Sequence, residues 1–307
     1  MADLSTAIAG VKFGSCIMNG AGPRCGSYEE LADIGKSASG AIVTTTMTRD
    51  RQESSAPSYY AYALGSVYSG GLPNLGYKKI GDFIPELKKF CKPIVASVAG
   101  SEVDEVAVIA AHVAAQGADL VELDLFVPDP DGRFTYLDHD RRELIIKEVR
   151  RRVKVPLGIR VSCHLDPLNA ADISMLAHET KLDFLTAIAP RELALEIDVK
   201  TEAPVLAGNG IGRLAGVSIK PLAMATVRLL REYFRGFIIA AGGVRTGADV
   251  FEYLLTGASA VQVGTSFAAE GPDIFSRLTA ELTEIMDSKK YPSVGHFIGK
   301  LKVTKMR

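Results

Sequence analysis

The chain has no tryptophan in 307 residues and only four cysteines, Cys16, Cys25, Cys91 and Cys163. The missing tryptophan excludes no fold or function. The cysteines are scattered, with neither the spacing of metal ligands nor the density of a disulfide-stapled scaffold, so they read mostly as core thiols and a metal site is not expected. There is no block of like charge either. The 35 Lys and Arg nearly cancel the 36 Asp and Glu, which leaves no electrostatic footprint for nucleic acid or an anionic membrane. No apolar run approaches the roughly 20 residues that span a bilayer. The opening Met-Ala-Asp-Leu-Ser has no basic segment leading into an apolar one. These absences give a soluble, cytoplasmic reading with small molecules as partners. Also missing is a G-x-G-x-x-G turn after the first strand, which counts against a doubly wound dinucleotide-binding sheet.

What is present is an apolar fraction of 47% and a repeated local pattern. Phe237-Ile238-Ile239-Ala240-Ala241 runs into Gly242-Gly243, and Ala260-Val261-Gln262-Val263 runs into Gly264-Thr265. A short apolar run that stops at glycine reads as a strand buried on both faces and ending at a site. The intervening Thr246 to Thr256 reads as a helix stopped by Gly257. Two neighbouring parallel strands that end this way leave backbone N–H groups free for a phosphate, as after the last two strands of a (β/α)8 barrel.

The same alternation extends back to the N-terminus. Strands are expected over 12–19, 41–46, 93–99, 120–126, 157–162 and 184–188. Helices are expected over 28–36, 83–91, 104–116, 140–153, 168–180 and 221–235, with a closing helix over 271–287. Eight alternations predict a (β/α)8 barrel forming one domain over 1–307. The stretch from Arg49 to Tyr77 has no helical period, and a loop of that length in a compact domain is usually functional. The glycine-rich stretch from Leu193 to Gly216 reads as an excursion or hairpin.

Several blocks, in order along nearly the whole chain, resemble the FMN-dependent dihydroorotate dehydrogenases, and within them the soluble, dimeric class that uses fumarate. They are Met18-Asn19-Gly20-Ala21-Gly22, Gly71-Leu72-Pro73-Asn74-Leu75-Gly76, Ser97-Val98-Ala99-Gly100, Ser218-Ile219-Lys220-Pro221, Ala241-Gly242-Gly243 and Val263-Gly264-Thr265. The resemblance implies FMN as cofactor and a homodimer. It places the phosphate at amides around Gly216, Gly242, Gly243, Gly264 and Thr265, and passes Gly20, Ala21 and Gly22 beside the isoalloxazine ring. Arg160 stands where the family has a lysine facing the flavin, which keeps a positive charge there. Thr45, counted with the cofactor-binding residues, stands where the family has a lysine at the orotate end of the site.

The substrate face departs from the family. Its Asn-Leu-Ser-Cys-Pro-Asn loop, whose cysteine is the base, reads Asp124-Leu125-Phe126-Val127-Pro128-Asp129 here. Valine cannot take a proton. A family asparagine falls at Tyr68 and an Asn-Ser pair at Ala189-Pro190. Losing these hydrogen-bonding groups removes the basis for choosing orotate, so a different small substrate is expected. Asp124, Tyr68 and His164 are the candidate proton partners. Asp124 reads equally as a hydrogen-bond acceptor, Tyr68 as an aromatic wall, and His164, with Cys163, as packing behind the fifth strand. Asp129 and Asp131 read as turn formers, His139 as a local polar group, and Arg133 and Arg191 as solvated loop side chains or carboxylate binders. Other readings kept open are dihydroorotate with a replaced base, a non-catalytic flavin binder, and a flavin-free lyase or isomerase.

Overall fold

The computed structural model describes residues 2–53, 58–69, 71, 73–128, 134–136, 138–163, 166–189 and 193–303. Eight parallel strands form one sheet: β1 (Ile17–Asn19), β2 (Ile42–Val43), β3 (Ile94–Ala99), β4 (Leu120–Asp124), β5 (Leu157–Val161), β6 (Phe184–Ala187), β7 (Phe237–Ala241) and β8 (Ala260–Val263). They neighbour one another in the order β2-β3-β4-β5-β6-β7-β8-β1. The helices between them are α1 (Tyr28–Lys36), α2 (Tyr77–Gly81), α3 (Ile84–Leu87), α4 (Val103–Ala115), α5 (His139–Arg152), α6 (Pro167–Glu179), α7 (Lys220–Tyr233) and α8 (Gly247–Thr256). After β8 come α9 (Thr265–Glu270) and α10 (Ile274–Ser288). This is the (β/α)8 barrel that the alternation predicts.

The seam between β1 and β2 carries no backbone ladder. Asn19 closes it with its side chain: its Nδ2 donates to Val43 O at 2.7 Å, and Val43 N–H donates to its Oδ1 at 2.9 Å. A buried amide that supplies one donor and one acceptor replaces a ladder rung without leaving a polar group bare.

Strand alternation sorts the residues into layers. Val121, Leu123, Ile159, Leu185, Ile238 and Val261 face outward and pack in the helix-covered cluster. Met18, Val43, Val95, Leu120, Phe184, Ile239 and Ala260 face inward and form a separate apolar floor. A hairpin pairing Thr6–Ile8 with Val11–Phe13 inserts Ile8 and Phe13 into that floor. One step up, the inward positions turn polar: Ser97, Glu122, Arg160, Thr186 and Gln262, all buried.

Several local boundaries differ from expectation. The first strand is split into a hairpin arm and a barrel strand. The second has only two ladder residues because Ser97 N–H goes to the Thr44 hydroxyl at 3.1 Å, which interrupts the backbone pairing. The helix over 83–91 is broken into α3 and a following 3-10 turn, Lys88–Phe90. The long segment after β2 is a hairpin, Tyr59–Tyr62 with Gly65–Tyr68. Strands Gly212–Ala215 and Leu193–Ala194 from the glycine-rich excursion join it in a four-stranded antiparallel sheet. That sheet stands at the end of the barrel where the parallel strands stop.

Candidate active site

The C-terminal ends of the strands and the antiparallel sheet enclose a cavity of about 320 Å³. One wall is Gly20, Ala21, Gly22 and Pro23 after β1, with Thr45 and Thr46 after β2. The rim continues through Gly264, Thr265 and Ser266 after the neighbouring β8 to Gly242 and Gly243 after β7 and to Gly216. Tyr59, Ser66 and Tyr68 reach it from the hairpin, and Arg160 and Gln262 line it from the polar layer.

Hydrogen bonds from behind hold the glycine rim. The Tyr253 hydroxyl, on α8, donates to Gly242 O at 2.6 Å; burial, reinforced by Asp249 and Glu252, raises that phenol's pKa and keeps it a donor. Asp249 accepts from the backbone N–H groups of Arg245 at 2.7 Å and Thr246 at 2.8 Å, and pairs with Lys220. Burial alone would raise its pKa, but Lys220 and the two N–H donors outweigh burial and lower it. The Ser266 hydroxyl, at the start of α9, donates to Val244 O at 2.7 Å, joining that helix to the loop after β7. Gly243 has φ +67°, and a Cβ there would lie 2.6 Å from Lys220 Cβ and 2.9 Å from Gly216 O. Only glycine keeps this backbone position without a shift. At Gly22 and Gly264 a Cβ would meet nothing within 4 Å. The loops there leave room for a ligand rather than for neighbouring protein.

Below this rim the polar layer is tightly connected. Arg160 Nη1 donates to Glu122 Oε1 at 2.8 Å, and both side chains are almost wholly buried. The Thr186 hydroxyl donates to Glu122 Oε2, as does Gln262 Nε2 at 3.2 Å. Burial works against the Arg160 charge, while Glu122 and then Asp124 favour it and prevail, so the guanidinium stays protonated. Three buried polar atoms on residues that line the cavity have no protein partner: Arg160 Nε, Gln262 Oε1 and Ser66 Oγ. A donor and an acceptor left bare in a cavity are costly unless a ligand or water meets them.

The structure thus brings Gly20, Ala21, Gly22, Thr45, Tyr68, Arg160, Gly216, Gly242, Gly243, Gly264 and Thr265 to one cavity. Asp124 ends β4 two residues beyond Glu122 on the same inward face and is 6% exposed; it is close enough for its charge to act on Arg160. Tyr68 has Arg213 as its cross-strand neighbour, the guanidinium 5.8 Å from the ring centre. His164, Asp129, Asp131, Arg133 and Arg191 lie outside the described residues. Phe126–Pro128 pairs with Phe134–Tyr136, so the segment carrying Val127 is the first arm of a hairpin. His139 is the first residue of α5, directly after the capping Asp138. Cys16, Cys25 and Cys163 are buried and Cys91 is exposed.

Gln262, Ser66 and Glu122 were not singled out from sequence. For Glu122 and Gln262 the signal is a polar residue inside an apolar strand, Leu-Val-Glu-Leu-Asp and Ala-Val-Gln-Val, whereas Ser66, in Gly-Ser-Val-Tyr, carries no such signal. Among the described residues no group of His, Cys, Asp and Glu is placed to hold a metal ion, and no helix is long and apolar enough to cross a membrane.

Comparison with known proteins agrees with this geometry. Dihydroorotate dehydrogenase A (fumarate) of Lactococcus lactis subsp. cremoris strain MG1363 is 34% identical over 309 residues, covering 97% of this chain and 99% of its own. A Streptococcus uberis protein provisionally given the same name is 37% identical over 311 residues, covering 98% and 99%. The crystal structure of a DHODH from Eimeria tenella, in complex with ferulenol, superposes with a TM-score of 0.80 at 20% identity over 97% of this chain and 88% of that one, which speaks to the fold. Residues 3–286 match the dihydroorotate dehydrogenase family, and with relatives aligned end to end the chain belongs to that family of oxidoreductases.

Proposed function

We propose that this protein is an FMN-dependent oxidoreductase whose substrate is a small molecule other than dihydroorotate. The observation that carries the flavin part is the cavity itself. Its rim of Gly216, Gly242, Gly243, Gly264 and Thr265 offers strand-end backbone suited to a phosphate, and Gly20 to Gly22 form a wall of small residues with open space at the Gly22 Cβ position. Arg160 and Gln262 line its base, and their Nε and Oε1 atoms lack a protein partner. These residues fit FMN: the rim would hold its phosphate, and the wall and floor its ring. When bound, the flavin would supply a two-electron hydride acceptor or donor.

The chain's own residues then divide the work. Arg160 contributes a fixed positive charge where electron density collects, Gly20 to Gly22 allow close approach, and Tyr68 and Thr45 shape the space left for substrate. The proton that accompanies hydride movement would pass through Asp124, Tyr68 or His164, or come from solvent. The reading against dihydroorotate rests on Val127 standing where the resemblance calls for a cysteine base, and on Thr45 and Tyr68 replacing a lysine and an asparagine. Its direction, desaturation or alkene reduction, follows from whichever substrate fits. We also propose a homodimer, which sedimentation velocity tests by mass.

A second reading keeps dihydroorotate and gives the base's role to one of those residues; the end-to-end identity to proteins named for that activity favours it. The flavin part is tested by the spectrum of purified protein and by FMN uptake. Yellow protein, or colourless protein that takes up FMN stoichiometrically, is expected. Colourless protein that takes up none refutes it and leaves a flavin-free barrel enzyme.

A further inference from the structure

The polar layer beneath the cavity holds a carboxylate that the proposed reaction does not use. Glu122 is fully buried on β4 and accepts hydrogen bonds from Arg160, Thr186 and Gln262. It does not line the cavity, whereas Arg160 does. The pair is therefore oriented, with its positive end toward the ligand space and its negative end in the barrel. An arginine alone at that place would present a full unit charge to the cavity from a low-dielectric interior, where Coulomb interactions are strongest. Paired with Glu122, it presents the smaller field of a dipole.

We infer that Glu122 is a positioning residue that fixes Arg160 against the cavity floor and attenuates the positive charge a flavin bound there experiences, setting how readily that flavin accepts electrons. The inference rests on the flavin reading above. It differs in sign from a purely structural role. If Glu122 only held Arg160 in place, losing it would loosen the arginine and weaken the positive field. If it attenuates the charge, losing it strengthens the field.

Sulfite reports this field without turnover. Its sulfur lone pair forms a bond to flavin N5 as the C4a=N5 π bond breaks, and that π pair and the negative charge pass into the ring, bleaching the visible band; a stronger positive field tightens binding. Wild type, Glu122→Gln and Thr186→Val are reconstituted with FMN and titrated with sulfite. Glu122→Gln keeps the side chain's shape and is expected to bind sulfite at least tenfold more tightly. Its two-electron midpoint potential should rise in step, by about 30 mV per tenfold. Thr186→Val removes a hydroxyl donor from the carboxylate, leaves its charge less compensated, and is expected to weaken sulfite binding. Unchanged or weaker binding in Glu122→Gln overturns the inference, as does unchanged or tighter binding in Thr186→Val. Thr186→Val, which removes no charge, decides alone if the glutamine variant does not fold. A wild-type protein that takes up no flavin overturns the cavity reading and this inference with it, whereas flavin uptake with unmoved sulfite affinity overturns this inference only.

Discussion

Two glycines of the same cavity should respond to alanine in opposite ways. Gly243 sits at φ +67° with Lys220 Cβ 2.6 Å and Gly216 O 2.9 Å from where a Cβ would be. A left-handed alanine costs about 1–2 kcal/mol, and relieving the overlap adds about 1–3 kcal/mol. A total of about 2–5 kcal/mol, at roughly 2–4 °C per kcal/mol for large domains, should lower the melting temperature of flavin-free Gly243→Ala by about 4–20 °C. Gly22 is free of such crowding, with nothing within 4 Å of its Cβ position. Gly22→Ala should fold as the wild type does, its melting temperature within about 3 °C, since replacing glycine at an unstrained position changes stability by under about 1 kcal/mol. Its methyl instead takes space from the ligand. At about 1–3 kcal/mol for an added methyl in a fitted site, FMN should bind roughly 5–150-fold more weakly. Scanning fluorimetry on flavin-free protein and quenching of FMN fluorescence measure the two effects separately. The reasoning is refuted if Gly22→Ala binds FMN as the wild type does, or destabilises the flavin-free fold as much as Gly243→Ala.

Other consequences follow from residues around the cavity. Asn19→Ala removes the two side-chain hydrogen bonds across the seam and leaves Val43 N–H and O bare, so urea denaturation should show a loss of about 2–4 kcal/mol; a loss under about 1 kcal/mol contradicts the seam's role. The folded state lowers the pKa of Asp249, so its contribution is complete above the unfolded carboxylate value near 3.8 and is lost as pH falls through the lower folded value. Asp249→Asn should therefore be less stable than the wild type at pH 6, with the gap closing below about pH 4; a gap independent of pH refutes the assignment. Burial pushes the thiols of Cys16 and Cys25 up to about 12, while Cys91 is exposed. Iodoacetamide at pH 8 should label Cys91 in the native protein and leave Cys16 and Cys25 unlabelled until it unfolds, as peptide mass mapping will show.

How much of this was legible in the sequence depends on range. Apolar runs stopped by glycine announced β7 and β8 because both the burial of a parallel strand and its termination are local properties. Arg160 and Tyr68 were reachable only through the resemblance, since nothing local says that they face a cavity. The pairing of Tyr68 with Arg213 brings together strands far apart in the chain, and no periodicity encodes it. Asn19 looked like the end of a strand, yet its side chain closes the barrel. Glu122 and Gln262 were visible as polar residues in apolar strands, but their meaning needs the alternation that turns one set inward and the register that brings Arg160 and Thr186 beside Glu122. The two-residue β2 was overextended because a threonine hydroxyl, not a backbone carbonyl, takes the next N–H.

The central claim is a family barrel that keeps its flavin and has changed its substrate. The most direct test is the visible spectrum of the FMN-loaded protein before and after anaerobic addition of dihydroorotate. The account predicts a yellow protein that stays oxidised, with the band bleached by dithionite but not by dihydroorotate. Rapid bleaching by dihydroorotate would contradict it, restore the family's substrate to this chain, and direct the search for a replacement base to Asp124, Asp129 and His164.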